Sequence, residues 1–303
     1  MKNLHLQHPE DTIFTGDLSA LDWFTASSTM SVKIDGAPAI VWGTNPSTGK
    51  FFVGTKSVFN KVKIKINHSH EEIDTNHEGV VAIILHCAFD CLPRTEGIVQ
   101  GDFIGFGGGD TYRPNTITYV FDQEIDQNII VAPHTYYTTD GELRDAEAHP
   151  LCSWNFEINL RNTSKCKFIQ PSAWMADEDF TEIVKFARLM SQMCEFVDDK
   201  KAEQCKKVIN TFLKVDAVLD AEALATAADC DINLMRFWKL IHTIKMDMLA
   251  VCSNNGPQAV INGVKVDGEG YVRSNNYGMF KLVDREVFSA ANFRNGRFAK
   301  LST

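Results

Sequence analysis

Apolar positions along this chain follow different periods in different regions. From Met30 to Trp42 the side chains are largely β-branched, apolar or aromatic, broken by Asp35-Gly36-Ala37-Pro38. That spelling predicts a strand, a tight turn and a second strand, with Lys33 at a strand end. Lys61-Val62-Lys63-Ile64-Lys65-Ile66 alternates lysine with β-branched residues. As a strand it would set its lysines on one face and its apolar side chains on the other, a cationic edge for a polynucleotide or a solvated sheet face. Val80 to Cys91 reads as a helix. Residues 1 to about 172 therefore read as strands and loops with one helix.

The period then changes. Ala176 to Cys252 reads as almost continuous helix in about four segments. Phe180, Ile183, Val184, Ala187, Met190, Cys194 and Val197 share one face, and later Leu234, Phe237, Trp238, Ile241, Ile244 and Met248 do the same. These stripes are packing surfaces. The lysines between them are interleaved with Asp and Glu and read as solvated.

At 303 residues with 44% apolar content the chain can bury a substantial core as one large domain or two ordinary ones. It has no run of apolar residues long enough for a membrane span and no charged-then-apolar amino terminus, so the expectation is a soluble, cytoplasmic protein with no membrane partner. Eight cysteines without a paired framework predict reduced, packing thiols. Cys87 and Cys91, with His86 beside them, lack the further ligands of a metal site, and His68, His70 and His77 show no ligand pattern. A net charge of −9 argues against a protein that simply coats nucleic acid.

The chemistry-bearing candidate is Lys33-Ile34-Asp35-Gly36, flanked by Val32 and the apolar Ala37 to Trp42. A lysine amine attacks phosphorus only after losing its proton, and apolar surroundings favour that loss. Other short motifs follow in order: Gly54-Thr55-Lys56-Ser57, Val99-Gln100-Gly101-Asp102-Phe103, Thr118-Tyr119-Val120-Phe121-Asp122, Asp267-Gly268-Glu269-Gly270-Tyr271-Val272 and Met279-Phe280-Lys281-Leu282-Val283. Lysines suit phosphates, and carboxylates suit magnesium. Gly105 to Asp110 is glycine-rich but lacks the Gly-Lys-Ser/Thr of a phosphate loop and reads as a flexible loop.

This series resembles the covalent nucleotidyltransferase superfamily of ATP-dependent DNA ligases, RNA ligases and capping enzymes. Glu269-Gly270-Tyr271-Val272 is closest to the phage-type RNA ligases. The resemblance implies that Lys33 accepts AMP, with Val32, Asp35 and Gly36 beside it. It further implies Lys56 on the sugar or phosphate, Asp102 and Glu269 on ribose or Mg²⁺, Phe121 stacked on the purine and Lys281 on the phosphates. The chain departs from the family at Lys56, where Arg is usual, at Asp102, where Glu is usual, and at Val283, where a second lysine is usual. Arg285 or another cation would have to replace that lysine.

The implied fold class is α+β, with a ligase-type, ATP-grasp-like nucleotidyltransferase core of antiparallel sheets over 1–172 and 253–303. An inserted helical subdomain would occupy 173–252, with no carboxy-terminal oligonucleotide-binding barrel. The implied activity is ATP-dependent joining of 5′-phosphate and 3′-hydroxyl ends through a lysyl-adenylate, RNA ends first and nicked DNA second. ATP, Mg²⁺ and nucleic-acid ends are the implied partners, in a host cytoplasm if phage-encoded, and the oligomeric state is left open. Two alternatives stand beside this: a nucleotidyltransferase that modifies a protein or an RNA end without ligation, and an inactive relative that only binds nucleic acid.

Overall fold

The computed structural model describes residues 6–151, 160–261, 263–266 and 268–287. In chain order the elements begin with helices α1 (Pro9–Thr12) and α2 (Ser19–Thr25) and strands β1 (Thr29–Val32), β2 (Ala39–Thr44) and β3 (Phe51–Gly54). Helices α3 (His70–Asn76) and α4 (Gly79–Cys91) lead into β4 (Ile98–Gly105), β5 (Gly109–Tyr112), β6 (Thr118–Ile125), β7 (Ile129–Thr138), β8 (Glu147–Pro150), β9 (Cys166–Phe168) and β10 (Ala173–Met175). Four helices follow, α5 (Thr181–Ser191), α6 (Asp199–Lys214), α7 (Ala221–Ala228) and α8 (Ile232–Ala250). Strands β11 (Cys252–Asn254), β12 (Gln258–Ile261), β13 (Val264–Val266), β14 (Tyr271–Asn275) and β15 (Gly278–Leu282) complete the order.

The chain packs as two compact units, and it passes from one to the other between Lys33 and Ile34, between Pro171 and Ser172, between Asn255 and Gly256 and between Gly268 and Glu269. The sheet unit holds Ile34–Pro171 and Gly256–Gly268. The helical unit holds His5–Lys33, Ser172–Asn255 and the residues from Glu269 onward, so helices α5 to α8 pack with segments from both ends of the sequence. The architecture is α+β with antiparallel sheets, and no barrel is formed among the described residues. One pair of strands departs from the antiparallel expectation, β9 running parallel to β7, and the isolated bridge between Gln7 and Phe280 is also parallel. No described helix is long and apolar enough to cross a membrane.

In the sheet unit a six-stranded sheet runs β3-β2-β4-β7-β8, with β9 on β7, and a four-stranded sheet runs β13-β12-β6-β5. Strand β2 explains its own apolar spelling. Ile40 and Trp42 join the core that holds Ile84, Leu85 and Ala88 of α4, while Val41 belongs to a second cluster with Phe52, Val58 and Tyr137. A strand covered on both faces needs no polar alternation.

Lys61 to Ile66 is not the expected strand: the segment bends, and Lys63 takes a left-handed φ of 55°. Val62 is 77% exposed, so no layer covers the apolar side chains that would have held a strand in register. Lys65 is instead tied down by its own contacts, its backbone N–H to the Ser57 carbonyl and its amine to the Asn76 carbonyl. The stretch expected to hold one helix holds α1, α2 and α3 besides α4. Helices of 4 to 7 residues offer too few periodic positions to be recognised, although Pro9 at the first turn of α1 and the Ser69 cap on the Glu72 N–H of α3 are ordinary start signals. Gly109, in the expected glycine-rich loop, opens strand β5.

The helical unit is built on α8, whose Leu234, Phe237, Trp238, Ile241, Ile244 and Met248 are all fully buried, as the 3.6-residue stripe requires. They pack with Ile13, Phe14, Trp23 and Phe24 from the first helices and with Tyr271, Phe280 and Leu282 from the last strands. Inside this apolar core sits a charged network. Lys245 Nζ lies 2.7 Å from Glu10 Oε1 with both side chains fully buried, and Arg285 Nη1 lies 2.8 Å from Asp11 Oδ1 and 3.3 Å from Glu10 Oε1. Trp238 Nε1–H donates to Asp11 at 3.1 Å, and Arg285 Nη2 donates to Asn210 at 2.9 Å. Burial pushes the Glu10 carboxyl up, but the Lys245 and Arg285 charges outweigh it and hold the group below the usual carboxylate range.

Removing one partner of a buried pair strands the other charge. Lys245→Ala is therefore expected to cost about 3–5 kcal/mol in urea unfolding, and the double change Glu10→Leu with Lys245→Met should cost clearly less than the two single costs added. A second outcome concerns His242, which is stacked on Trp238 with ring centroids 5.3 Å apart. Burial, helped by the Lys245 charge, lowers it from 6.5 to about 4. The unfolded chain then binds a proton that the folded chain refuses, so this contribution is fully present above pH 6.5 and is lost as pH falls from 6.5 towards 4. His242→Gln should flatten the stability profile in that window by up to about 1.4 kcal/mol per pH unit, read from urea midpoints at successive pH values.

Candidate functional site

In the helical unit, β1 pairs antiparallel with β14 and β14 with β15, giving cross-strand rows Ser31–Val272–Lys281 and Val32–Tyr271–Leu282. Side chains alternate across the sheet. Met30, Val32, Tyr271, Phe280 and Leu282 face the helical core, which anchors that face. Ser31, Val272 and Lys281 take the opposite face. The Lys33 N–H donates to the Gly270 carbonyl at 2.9 Å and carries the ladder one rung past β1, so Lys33 joins the Ser31 and Lys281 face.

The ladder brings two chemistry-bearing residues together from distant parts of the sequence. Lys33 Nζ lies 2.7 Å from Glu269 Oε1, with side chains 17% and 14% exposed. The turn that delivers Glu269 requires glycine: Gly270 has φ +115°, and a Cβ there would stand 2.1 Å from the Leu282 carbonyl oxygen. Tyr271, next along, is buried and its hydroxyl accepts from Asn254 Nδ2 at 3.0 Å. Asp267 lies outside the described residues. Lys281 is half-buried on β15, and its N–H donates to the Gln7 carbonyl at 3.1 Å.

Val283, at the position where the resemblance expects a second lysine, is buried and approaches Gly270. Arg285 does not replace that lysine. It is 5% exposed and committed to Glu10, Asp11 and Asn210.

The expected tight turn between two paired strands does not form, because β1 and β2 pair with other strands in different sheets; the segment after Ile34, which leads into β2, is clamped by hydrogen bonds to its main chain. The Asp35 N–H donates to the Tyr119 hydroxyl at 3.0 Å, that hydroxyl donates to the Asp35 carbonyl at 3.2 Å, and Asn115 Nδ2 donates to the same carbonyl at 3.0 Å. The Gly36 N–H donates to Asp102 Oδ2 at 3.3 Å, and a Cβ on Gly36 would meet the Phe103 carbonyl oxygen at 2.1 Å. Asp102 sits on β4 opposite Ala39 of β2 and Ala132 of β7, with Oδ1 3.6 Å from His134 Nε2. Asp102 is thus turned towards the Asp35-Gly36 segment.

Two candidates are placed differently from their spelling. Lys56 is exposed and opens a 3₁₀ turn, Lys56–Phe59, rather than lying in a strand. Phe121 is half-buried on β6, edge-on to Tyr112 at 5.8 Å, and lines a shallow depression with Asp122, Glu124, Asp126 and Lys167. Those carboxylates have the wrong sign for a phosphate. The residue of that motif that touches the Asp35 main chain is Tyr119, which is 1% exposed. Its signal was the aromatic alternation Tyr119, Phe121, in which either ring could have been the inward one.

Among the described residues no three His, Cys, Asp or Glu side chains converge as a metal cage. Asp102, in the sheet unit, and Glu269, in the helical unit, are each a single carboxylate, a hard oxygen donor of the kind magnesium accepts. The seven described cysteines are free. The chain belongs to a family of unknown function (DUF6267), which it matches over residues 3–229 and 219–297. No curated protein and no solved structure matches it.

Gly270→Ala is expected to break the turn that sets Glu269 against Lys33. Backbone strain of about 1–3 kcal/mol, added to the clash, should lower the urea midpoint. It should also change the amide chemical shifts of Lys33 and Tyr271 beyond those of Gly141→Ala, a position where an added Cβ meets open space.

Proposed function

We propose that the chain is an ATP-dependent polynucleotide ligase with a ligase-type nucleotidyltransferase core, and that Lys33 is its nucleotide-accepting residue. The observation that carries this reading is the 2.7 Å pairing of Lys33 with Glu269, two residues that the motif series singles out and that meet only in the fold. A salt-bridged ammonium has no lone pair. The nucleophile forms when the Nζ proton leaves, and Glu269 Oε1 is in position to take it. The freed amine attacks the α-phosphorus of ATP; the new N–P bond forms as the bond from that phosphorus to the bridging oxygen breaks, and pyrophosphate departs.

Lys281, on the same sheet face as Lys33, supplies positive charge for the phosphates. Glu269 would supply a carboxylate to magnesium beside Lys33, and Asp102 is the candidate carboxylate of the sheet unit; the ion's contribution when bound is charge neutralisation on those phosphates. AMP then passes to a 5′-phosphate, and a 3′-hydroxyl displaces it to seal the strand. RNA ends are the proposed substrate.

The test is adduct formation with magnesium and α-labelled ATP or GTP, read as label that survives denaturation. Wild type should label and Lys33→Ala should not, while Glu269→Gln should label at least about 100-fold more slowly. Absence of label with both nucleotides, once bound AMP has been excluded by mass spectrometry, would overturn the enzyme reading in favour of a binding protein. Label without joining of RNA ends or nicked DNA would identify a transferase instead.

A further inference from the structure

We infer that the helical unit holds one nucleotide of a single-stranded RNA at Trp174, with its base stacked on the indole and its ribose in the adjoining cavity. This deepens the reading of Lys33 as an RNA-joining site and rests on it for the identity of the strand. Trp174 is the middle residue of β10, and its neighbours Ala173 and Met175 pack against the helical core. Side chains alternate along a strand, so Trp174 points away from that core. Met30 and Val32 pack on the same core, which sends Ser31 and Lys33 the same way. The two segments meet at the antiparallel bridge between Ser31 and Ser172. Trp174 therefore shares a face with Ser31, Lys33 and Lys281.

The indole is available to a ligand. Trp174 is 51% exposed, whereas Trp23, Trp42 and Trp238 are fully buried. A large flat ring left half in water, on the face that carries the proposed chemistry, is a stacking surface for a base, and every base has a π-face to offer it. Two residues on each side of the Ser31–Ser172 bridge, at roughly 3.3 Å per residue, and one step between strands set Trp174 roughly 14 Å from Lys33. A strand of a few nucleotides spans that distance. Lys281, on the same face, supplies positive charge for its phosphates.

A cavity of about 380 Å³ adjoins Trp174, between the start of β1, β10 and the start of α5. Its size falls in the range of small-ligand sites. Ser27, Ser28, Glu178, Asp179 and Thr181 line it beside the indole. Asp179 is fixed at the start of α5, where the Thr181 N–H donates to its Oδ1 at 2.8 Å. Carboxylates repel a phosphate but accept from a hydroxyl, so this lining suits a ribose and not the backbone. The 2′-hydroxyl both donates and accepts, and it is the group that DNA lacks. Base stacking on Trp174 thus gives affinity without regard to sequence, and the cavity gives preference for RNA.

Titration with a short 5′-hydroxyl RNA oligonucleotide, without ATP, tests this apart from any joining step. Tryptophan emission should be quenched as RNA saturates the protein, and Trp174→Phe should lose that quench while keeping its affinity, because a phenyl ring still stacks. Trp174→Ala should weaken binding about 5- to 150-fold, read by anisotropy of a labelled oligonucleotide. DNA of the same sequence should bind wild type about 2- to 10-fold more weakly than RNA, and Ser28→Ala with Glu178→Ala should narrow that gap without weakening DNA. The inference is overturned if wild type binds no RNA, if Trp174→Ala binds RNA as wild type does, or if RNA and DNA bind equally. AMP that quenches as fully as RNA at the same concentration would assign the cavity to a free nucleotide and overturn it as well. Adenylate labelling of Trp174→Ala should equal that of wild type; RNA binding at Trp174 with no label on any variant would sink the ligase reading and leave this site standing.

Discussion

The buried charges on Glu10, Asp11, Lys245 and Arg285 are the constraint on which the helical unit depends. They join α1, the middle of α8 and the segment just after β15, three pieces from distant parts of the sequence. Two carboxylates and two cations neutralise one another, so the charges can occupy an apolar core that would expel any one of them alone. This gives direction to packing that hydrophobic contacts leave loose. A helix can rotate and keep its apolar face buried, but it cannot rotate and keep Lys245 on Glu10.

The same argument extends to the short sheet that carries Lys33 and Glu269. Arg273 on β14 donates to the Trp23 and Ala26 carbonyls, and its guanidinium lies 4.8 Å over the Trp23 ring. Burial lowers it to about 10, which leaves it charged near neutral pH. With Arg285 fastened three residues past the end of β15, the β14–β15 hairpin is held at both ends, and the ladder from Gly270 to Lys33 inherits that register. The Lys33–Glu269 distance therefore reflects side chains that never touch either residue.

Where the sequence misled, a missing tertiary partner or an unreadable facing explains it. Lys61 to Ile66 has an alternating pattern, but alternation makes a strand only where a layer covers the apolar side, and Val62 and Ile64 are exposed. In the Thr118–Asp122 motif it is the Tyr119 hydroxyl, which the sequence reading did not single out, that meets the Asp35 main chain. The contact between His70 and His86 left no signal in the sequence because the two residues sit on successive helices.

By itself the sequence determined the elements with long or doubly covered patterns: α8, whose every predicted apolar position is buried, and strand β2, covered on both faces; among the described residues no helix is long and apolar enough to cross a membrane. It also marked Lys33 and Glu269 as chemistry-bearing residues before anything placed them together. These features follow from local periodicity and residue type, which a chain carries in its spelling. The tertiary structure alone decided that the first and last segments pack with the helices, that Arg285 serves the core and that His70 faces His86. Each of those depends on contacts between residues far apart in sequence, chosen by the burial of charge and apolar surface together, and no local pattern records that choice.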